Sequence, residues 1–242
     1  MIYENDLIIV GARKGSKGLK NKNKLLFDGE PMFIRTLNQA CRLSNNVIFS
    51  TDDEEMLDEC KRIKNITTLK RPKSLSKSSS PKLPVLRHAI NHYVDEGNQL
   101  PSYIIDLQIT SPLRLDREIM NAYETFKNNG DKFDNLISVT QSKYHPSYNL
   151  VNLTEDYKAN LLDFNKTITG REMLSNNYEI NGSIFIWKYS EIMKDQNGLI
   201  RNNTFGYETS PLSSQDVDSE QDFIIAESIY NSELYKNFIE SN

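Results

Sequence analysis

Cysteine and histidine are scarce in this chain, which holds two cysteines, Cys41 and Cys60, and three histidines among 242 residues. Both thiols lie in segments of helical periodicity, without a Cys-x-x-Cys pair or a Cys/His spacing suited to zinc. A disulfide framework is therefore excluded, and a reducing cytoplasm is the expected compartment. No apolar run approaches the roughly 20 residues that a membrane helix needs. The segment before the first apolar run also lacks the basic start, long hydrophobic stretch and cleavage site of a signal peptide, so export by the usual route is not expected. Nor is one sign of charge in large excess. The 29 Lys plus Arg against 33 Asp plus Glu give a formal charge of -4, which offers no global attraction to nucleic acid or anionic lipid. Any anion site must be built locally.

What is present is the composition of an ordinary globular protein: 38% hydrophobic, 10% aromatic and 26% charged residues, at a length that suits one sizeable domain. Short β-rich apolar runs alternate with longer amphipathic ones, the pattern of a sheet covered by helices on both faces. The expected architecture is a three-layer α/β/α, Rossmann-like fold with a mostly parallel sheet. Strands are expected at 7–10, 46–50, 66–69, 103–108, 136–140 and 184–187, and helices at 31–43, 53–64, 116–127 and 223–230. Between them, 71–84 is rich in Ser, Lys and Pro and reads as a long loop before another helix carrying Leu86, Ile90 and Val94. The rhythm fails from 142 to 178, a polar stretch rich in Tyr and Asn, which reads as an excursion from a single domain spanning 1–242. There is no internal repeat.

In an open α/β sheet, ligands bind beyond the carboxyl ends of the strands, so the polar motifs that end each strand should converge. The first is Gly11 to Lys24, where three glycines and the cations Arg13, Lys14, Lys17, Lys20, Lys22 and Lys24 follow a strand. Glycines let backbone N–H groups approach phosphate oxygens, and Arg and Lys neutralise their charge. The alternative is a lysine-rich surface turn. Two familiar phosphate signatures fail: Ser16 precedes Lys17 where a Walker A loop needs Gly-Lys-Ser/Thr, and Gly15 and Gly18 lack the partner of a dinucleotide fingerprint. The second motif is Asp216-Val217-Asp218, with Glu220 and Asp222 beside it. Alternate carboxylates in an extended segment face one side and could share a hard cation such as Mg²⁺; an acidic helix start would look the same. His88 and His92, at i and i+4, lack a following Glu and a third ligand and read as a solvated helix face. The acidic total and the lack of interleaved aromatics exclude a nucleic-acid site.

Taken in order, Arg13-Lys14-Gly15-Ser16-Lys17-Gly18 with Lys22-Asn23, Ser50-Thr51-Asp52, Arg71-Pro72, Gln108-Ile109-Thr110-Ser111-Pro112-Leu113-Arg114, Asn181-Gly182 and Asp216-Val217-Asp218 resemble the motif set of the CMP-sialic acid synthetases, the acylneuraminate cytidylyltransferases. The likeness covers nearly the whole chain. It implies a nucleotidyltransferase fold, a homodimer with 142–178 as dimer and sugar-site arm, and Mg²⁺-dependent reaction of CTP with a nine-carbon 2-keto sugar acid. By the same resemblance Ala12, Arg13, Ser16, Lys22 and Asn23 would hold the CTP phosphates, with Lys22 at the α-phosphate. Arg71 and the loop around Ser78 would take the cytosine side, Ser78 standing where relatives carry an acid. Gln108, Thr110, Ser111 and Asn181 would face the sugar, Arg171 would pair with its carboxylate, and Asp216 and Asp218 would hold the metal. Lys82-Leu83-Pro84-Val85-Leu86-Arg87 resembles the subgroup that activates legionaminic acid. The other readings are a CMP-Kdo synthetase and a nucleotide-binding regulatory protein without turnover.

Overall fold

A computed structural model of the chain describes every residue except 1, 3, 4, 16, 17, 165–169, 195, 197 and 242. The first apolar run forms β1 (Leu7–Ala12), and Asp28-Gly29, both at positive φ, turn a short hairpin of β2 (Leu26–Phe27) and β3 (Glu30–Pro31). The chain then alternates through α1 (Met32–Leu43), β4 (Val47–Thr51), α2 (Glu54–Cys60), β5 (Ile66–Lys70), α3 (Lys82–Asp95), β6 (Tyr103–Leu107), α4 (Asp116–Asn128) and β7 (Asn135–Gln141). A projecting antiparallel pair, β8 (Val151–Leu153) and β9 (Ala159–Leu161), precedes the long β10 (Tyr178–Lys188). α5 (Tyr189–Ile192), β11 (Thr204–Glu208), α6 (Glu220–Tyr230) and α7 (Glu233–Glu240) complete the order.

Seven strands form the central sheet in the order β11-β7-β10-β6-β1-β4-β5. β1 lies inside the sheet between β4 and β6 and parallel to both, and both of its faces are covered, which is why its sequence is a continuous apolar run rather than an alternating one. Ile8 and Val10 pack with Phe33, Leu37 and Phe49 in one layer, and Leu7 and Ile9 with Ile48, Ile90 and Trp187 in the other. The expected α/β sandwich with a mostly parallel sheet is therefore present.

Several details differ from the sequence reading, among them the unexpected β11 and α7. β10 runs antiparallel to β6 and β7, because the chain returns from its excursion straight onto the end of β7, pairing Tyr178 with Gln141 without a crossover helix. α3 starts at Lys82, two residues before Pro84, since a proline in the first helical turn forfeits no intrahelical hydrogen bond. α2 stops at Cys60, short of the expected 64. Asn181-Gly182 marks a register shift in β10, with Gly182 at φ 68°, a conformation that glycine adopts without strain.

Trp187 on β10 is fully buried beside Ile104 and Asn135 of the neighbouring strands. Trp187→Ala is expected to cost about 3–5 kcal/mol through lost burial and the cavity left behind. In thermal unfolding, that corresponds to a fall in Tm on the order of 10 °C for a chain of this size; an unchanged Tm would contradict this core assignment.

Candidate active site

The loop leaving β1 sorts its cations. Arg13 is half-buried and its carbonyl accepts a hydrogen bond from Asn23 Nδ2 at 3.3 Å, while Lys22 opens a short 3₁₀ turn, Lys22–Lys24, after Asn21 in the left-handed region. Lys24 is drawn away to Asp53 at 2.9 Å and Glu55 at 2.5 Å, and the Lys14 backbone N–H is held by Asp52 at 2.7 Å. Among the described residues Arg13 and Lys22 are thus the loop cations that line a cavity of about 390 Å³, shared with Gly11, Gly15, Gly18, Asn23, Gln108, Ile109, Thr110 and Asp218. Ser16 and Lys17 lie outside the described residues. Gly18 is where the loop meets the opposite wall: a Cβ there would lie 2.5 Å from the backbone oxygen of Asp218, so no larger residue fits without moving the loop.

The segment 216–218 is anchored where β6 ends, Val217 N–H donating to Thr110 O at 2.8 Å with the Val217 side chain fully buried. The carboxylates on either side of Val217 face different environments. Asp218 is largely exposed and pairs with Lys22, Nζ to Oδ1 2.6 Å, across 196 residues of sequence. Asp216 is half-buried, and its Oδ1 is shielded from water without a hydrogen-bond partner. Burial pushes its pKa above the ordinary value; the Thr110 hydroxyl bond and Lys22 oppose that rise, and the Asp218 charge adds to it. Among the described residues no three His, Cys, Asp or Glu side chains converge. A hard cation bound here would thus take Asp216 and Asp218 from the protein and complete its oxygen shell from a ligand or water, and the buried bare Oδ1 fits that role.

A second cavity, about 210 Å³, adjoins the first through Gly11, Arg13 and Gln108 and is walled by Arg71, Ser78, Ser80, Lys77 and Lys82. Arg71 is buried, donating from Nη2 to Ser50 O at 2.8 Å, and desolvation lowers its pKa. A Cβ on Gly11 would come within 3.2 Å of Arg71 Nη2, so the glycine gives the guanidinium room. Ser78 is exposed on the wall.

Several residues expected at the site stand elsewhere or behind it. The Ala12 side chain is buried in the core, so only its backbone is available to a ligand. Ser111 is buried and lines a separate cavity against α1 and α7. Asn181 is buried with its amide engaged within the protein: Oδ1 accepts from Ser138 Oγ at 2.6 Å and Ser183 N at 3.2 Å, and Nδ2 donates to Thr209 Oγ1 at 2.6 Å and Ser214 Oγ at 3.0 Å. It fixes the bend at Gly182, where a Cβ would come within 3.8 Å of Asp216 Oδ2. Arg171 begins a 3₁₀ turn, Arg171–Met173, and its side chain lies outside the described residues. His88 is half-buried, with Nδ1 unpartnered and its pKa lowered by burial, His92 and Arg71, so it is not part of a fully solvated face. Sequence reasoning missed Lys82, Asp106 and the fully buried Arg114, whose Nη1 donates to the carbonyls of Gln108 and Ser183. The signal for Asp106 was there, a lone charge inside the apolar strand Tyr-Ile-Ile-Asp-Leu.

A family model described as Cytidylyltransferase matches residues 7–223. Two Campylobacter proteins, post-translational flagellin modification protein B of C. coli and CMP-N,N'-diacetyllegionaminic acid synthase of C. jejuni, are each 30% identical to this chain over 223 residues, covering 91% of it and 93% of their own lengths. N-acylneuraminate cytidylyltransferase of Streptococcus agalactiae is 30% identical over 221 residues, 90% of this chain and 51% of that protein, so the chain spans about half the length of this relative. Among solved structures, CMP:2-keto-3-deoxy-manno-octonic acid synthetase complexed with CTP matches with a TM-score of 0.64 over 93% of this chain and 98% of that one, at 14% identity, a likeness of fold.

The raised pKa of Asp216 has a consequence for stability. The folded state holds this proton more tightly than the unfolded chain, so folding is penalised as pH rises through the ordinary value of 3.8, and the penalty is fully present once pH exceeds the folded-state value. Asp216→Asn keeps an acceptor for Thr110 and removes the charge. Its Tm should exceed that of the wild type at pH 7, with the gain vanishing below pH 3.8; equal Tm values at pH 7 would show that the carboxylate carries no such cost.

Proposed function

The chain belongs to the cytidylyltransferase family, and we propose that it transfers CMP from CTP to a nine-carbon, sialic-acid-like 2-keto sugar acid of the legionaminic or N-acetylneuraminic type. The observation that carries this reading is the opposed charge in one cleft: Arg13 and Lys22 on the glycine loop line the same cavity as Asp218, which is paired with Lys22, and Asp216, two residues from Asp218, keeps a buried oxygen without a partner behind that wall. The names of the Campylobacter and streptococcal relatives support the substrate class.

In this reading the anomeric hydroxyl of the sugar acid attacks the α-phosphorus of CTP, gives up its proton to water as the new P–O bond forms, and the bond to the bridging oxygen breaks to release pyrophosphate. Arg13 and Lys22 neutralise the charge that builds on the phosphate oxygens, and Lys22 must leave Asp218 to do so. Asp216 and Asp218 would hold Mg²⁺, which supplies charge neutralisation to the triphosphate. Arg71, Ser78 and Lys77 border the cavity that takes the nucleoside, and Thr110 and Gln108 border the sugar. Among the described residues no helix is long and apolar enough to cross a membrane. The 142–178 excursion exposes the large apolar side chains of Leu153, Tyr157, Leu162 and Phe164, which the arm of a homodimer would cover.

Incubation of the protein with CTP, Mg²⁺ and, in turn, N,N'-diacetyllegionaminic, N-acetylneuraminic, pseudaminic and 2-keto-3-deoxy-octonic acids should release pyrophosphate and CMP-sugar with a nine-carbon acid. Turnover of the eight-carbon acid alone would overturn the substrate class, and turnover of none would favour a nucleotide-binding protein without catalysis. Lys22→Ala should lower kcat roughly 10²–10³-fold, as loss of one charge-stabilising donor does; a near-normal kcat would remove Lys22 from the α-phosphate.

A further inference from the structure

Beneath the seam of the two cavities lies a charge that the reaction above does not use. Asp106 on β6 is 1% exposed, and an ionised carboxylate in such a place needs partners for both oxygens. It has them. Oδ1 accepts a hydrogen bond from Gln108 Nε2 at 2.8 Å, and Oδ2, which takes no aligned hydrogen bond, is met by the Lys82 ammonium as an ion pair at 2.7 Å. Asp106 and Gln108 stand two residues apart, on the same face of the chain as it leaves β6. Lys82, the first residue of α3, also rests its ammonium 3.7 Å from the ring centre of Phe185, the β10 residue paired with Asp106. Lys82 and Asp106 line the second cavity, and Gln108 lines both.

This arrangement dictates the polarity of one side chain. A primary amide can present either its carbonyl or its NH₂ to a ligand, but a carboxylate offers only acceptors, so the side of Gln108 facing Asp106 must be the NH₂. The carbonyl Oε1 is then turned the other way. The backbone of Gln108 is fixed as well, its N–H donating to Ser183 O at 3.2 Å and its carbonyl accepting from Arg114. We propose that Asp106, held by Lys82, is a positioning residue that locks the Gln108 amide with its carbonyl toward the cleft, so that the sugar acid must present a hydroxyl donor there. The identity of that partner rests on the function proposed above; the locked amide does not. Because Lys82 and Gln108 sit on opposite oxygens of one carboxylate, the nucleotide-side cavity and the sugar side share a single buried charge.

Asp106→Asn separates these ideas. The substituted amide has one oxygen for two donors, and the ammonium of Lys82 is the stronger claimant, so the introduced NH₂ turns to Gln108 and the Gln108 amide flips. At saturating CTP, the KM for the nine-carbon acid that the wild type uses should rise about tenfold, while the KM for CTP changes less than about threefold. In a Gln108→Leu background the same substitution should shift the sugar-acid KM by less than about twofold, since Asp106 acts through Gln108. Equal effects in both backgrounds would mean that Asp106 merely supports the fold and would overturn the proposal. A readout independent of turnover is the side-chain NH₂ resonance of Gln108, assigned by its loss in Gln108→Leu. Asp106→Asn and Lys82→Met should both move it. A resonance unmoved by Asp106→Asn would overturn the lock even if every sugar acid is turned over, and a moved one would sustain it even if none is.

Discussion

The contact on which the cleft depends is the ion pair between Lys22 and Asp218. These residues are 196 positions apart, one on the first loop of the chain and one just before the penultimate helix, and they meet at 2.6 Å only because β1 and β6 are adjacent in the sheet and Val217 is pinned to the end of β6. The pair is also a constraint on chemistry. In the proposed reaction each partner has a different task, the ammonium at a phosphate and the carboxylate at a cation, and in the structure the two charges neutralise one another.

Around this contact the fold concentrates charge where burial makes it expensive. Asp216 keeps one oxygen bare, Asp106 is buried beneath the cleft, and Arg71 and Arg114 are buried behind it. An apolar replacement would suit a core better in each case. That these charges sit together near the carboxyl ends of β5 and β6, rather than being scattered, accords with a site whose stability has been spent on placing charge. Asn181 follows the same rule with a neutral group, its amide bonds linking β7, β10 and the 209–214 turn so that the backbone at Gly182 can approach Asp216.

Much of this was legible from residue order alone. The run Leu7 to Val10, the glycine loop and the spaced carboxylates at 216 and 218 are local patterns with local meanings, and the fold places Arg13, Lys22, Asn23, Gln108, Thr110 and Asp218 around one cavity. What stayed hidden depends on contacts distant in sequence. Nothing near Lys24 shows that Asp53 and Glu55 will draw it away, nothing near Ser111 shows which side of its turn is buried, and Lys82 looked like one more cation in a Ser/Lys/Pro-rich loop until α3 placed it over Asp106. The antiparallel entry of β10 was equally invisible, since an apolar strand carries no mark of its direction. β11 escaped because Thr-Phe-Gly-Tyr-Glu alternates over only five residues and has a glycine, a weak strand former, at its centre.

The central claim is that Lys22 and Asp218 exchange each other for a triphosphate and its divalent cation. Calorimetric titration of CTP into the wild type and into Asp218→Asn, first with a chelator and then with Mg²⁺, tests it directly. Freed from its carboxylate, Lys22 in the variant should bind metal-free CTP more tightly than the wild type does, and the gain in affinity that Mg²⁺ gives the wild type should be lost. A variant that binds metal-free CTP no better and keeps the full Mg²⁺ gain would contradict the account.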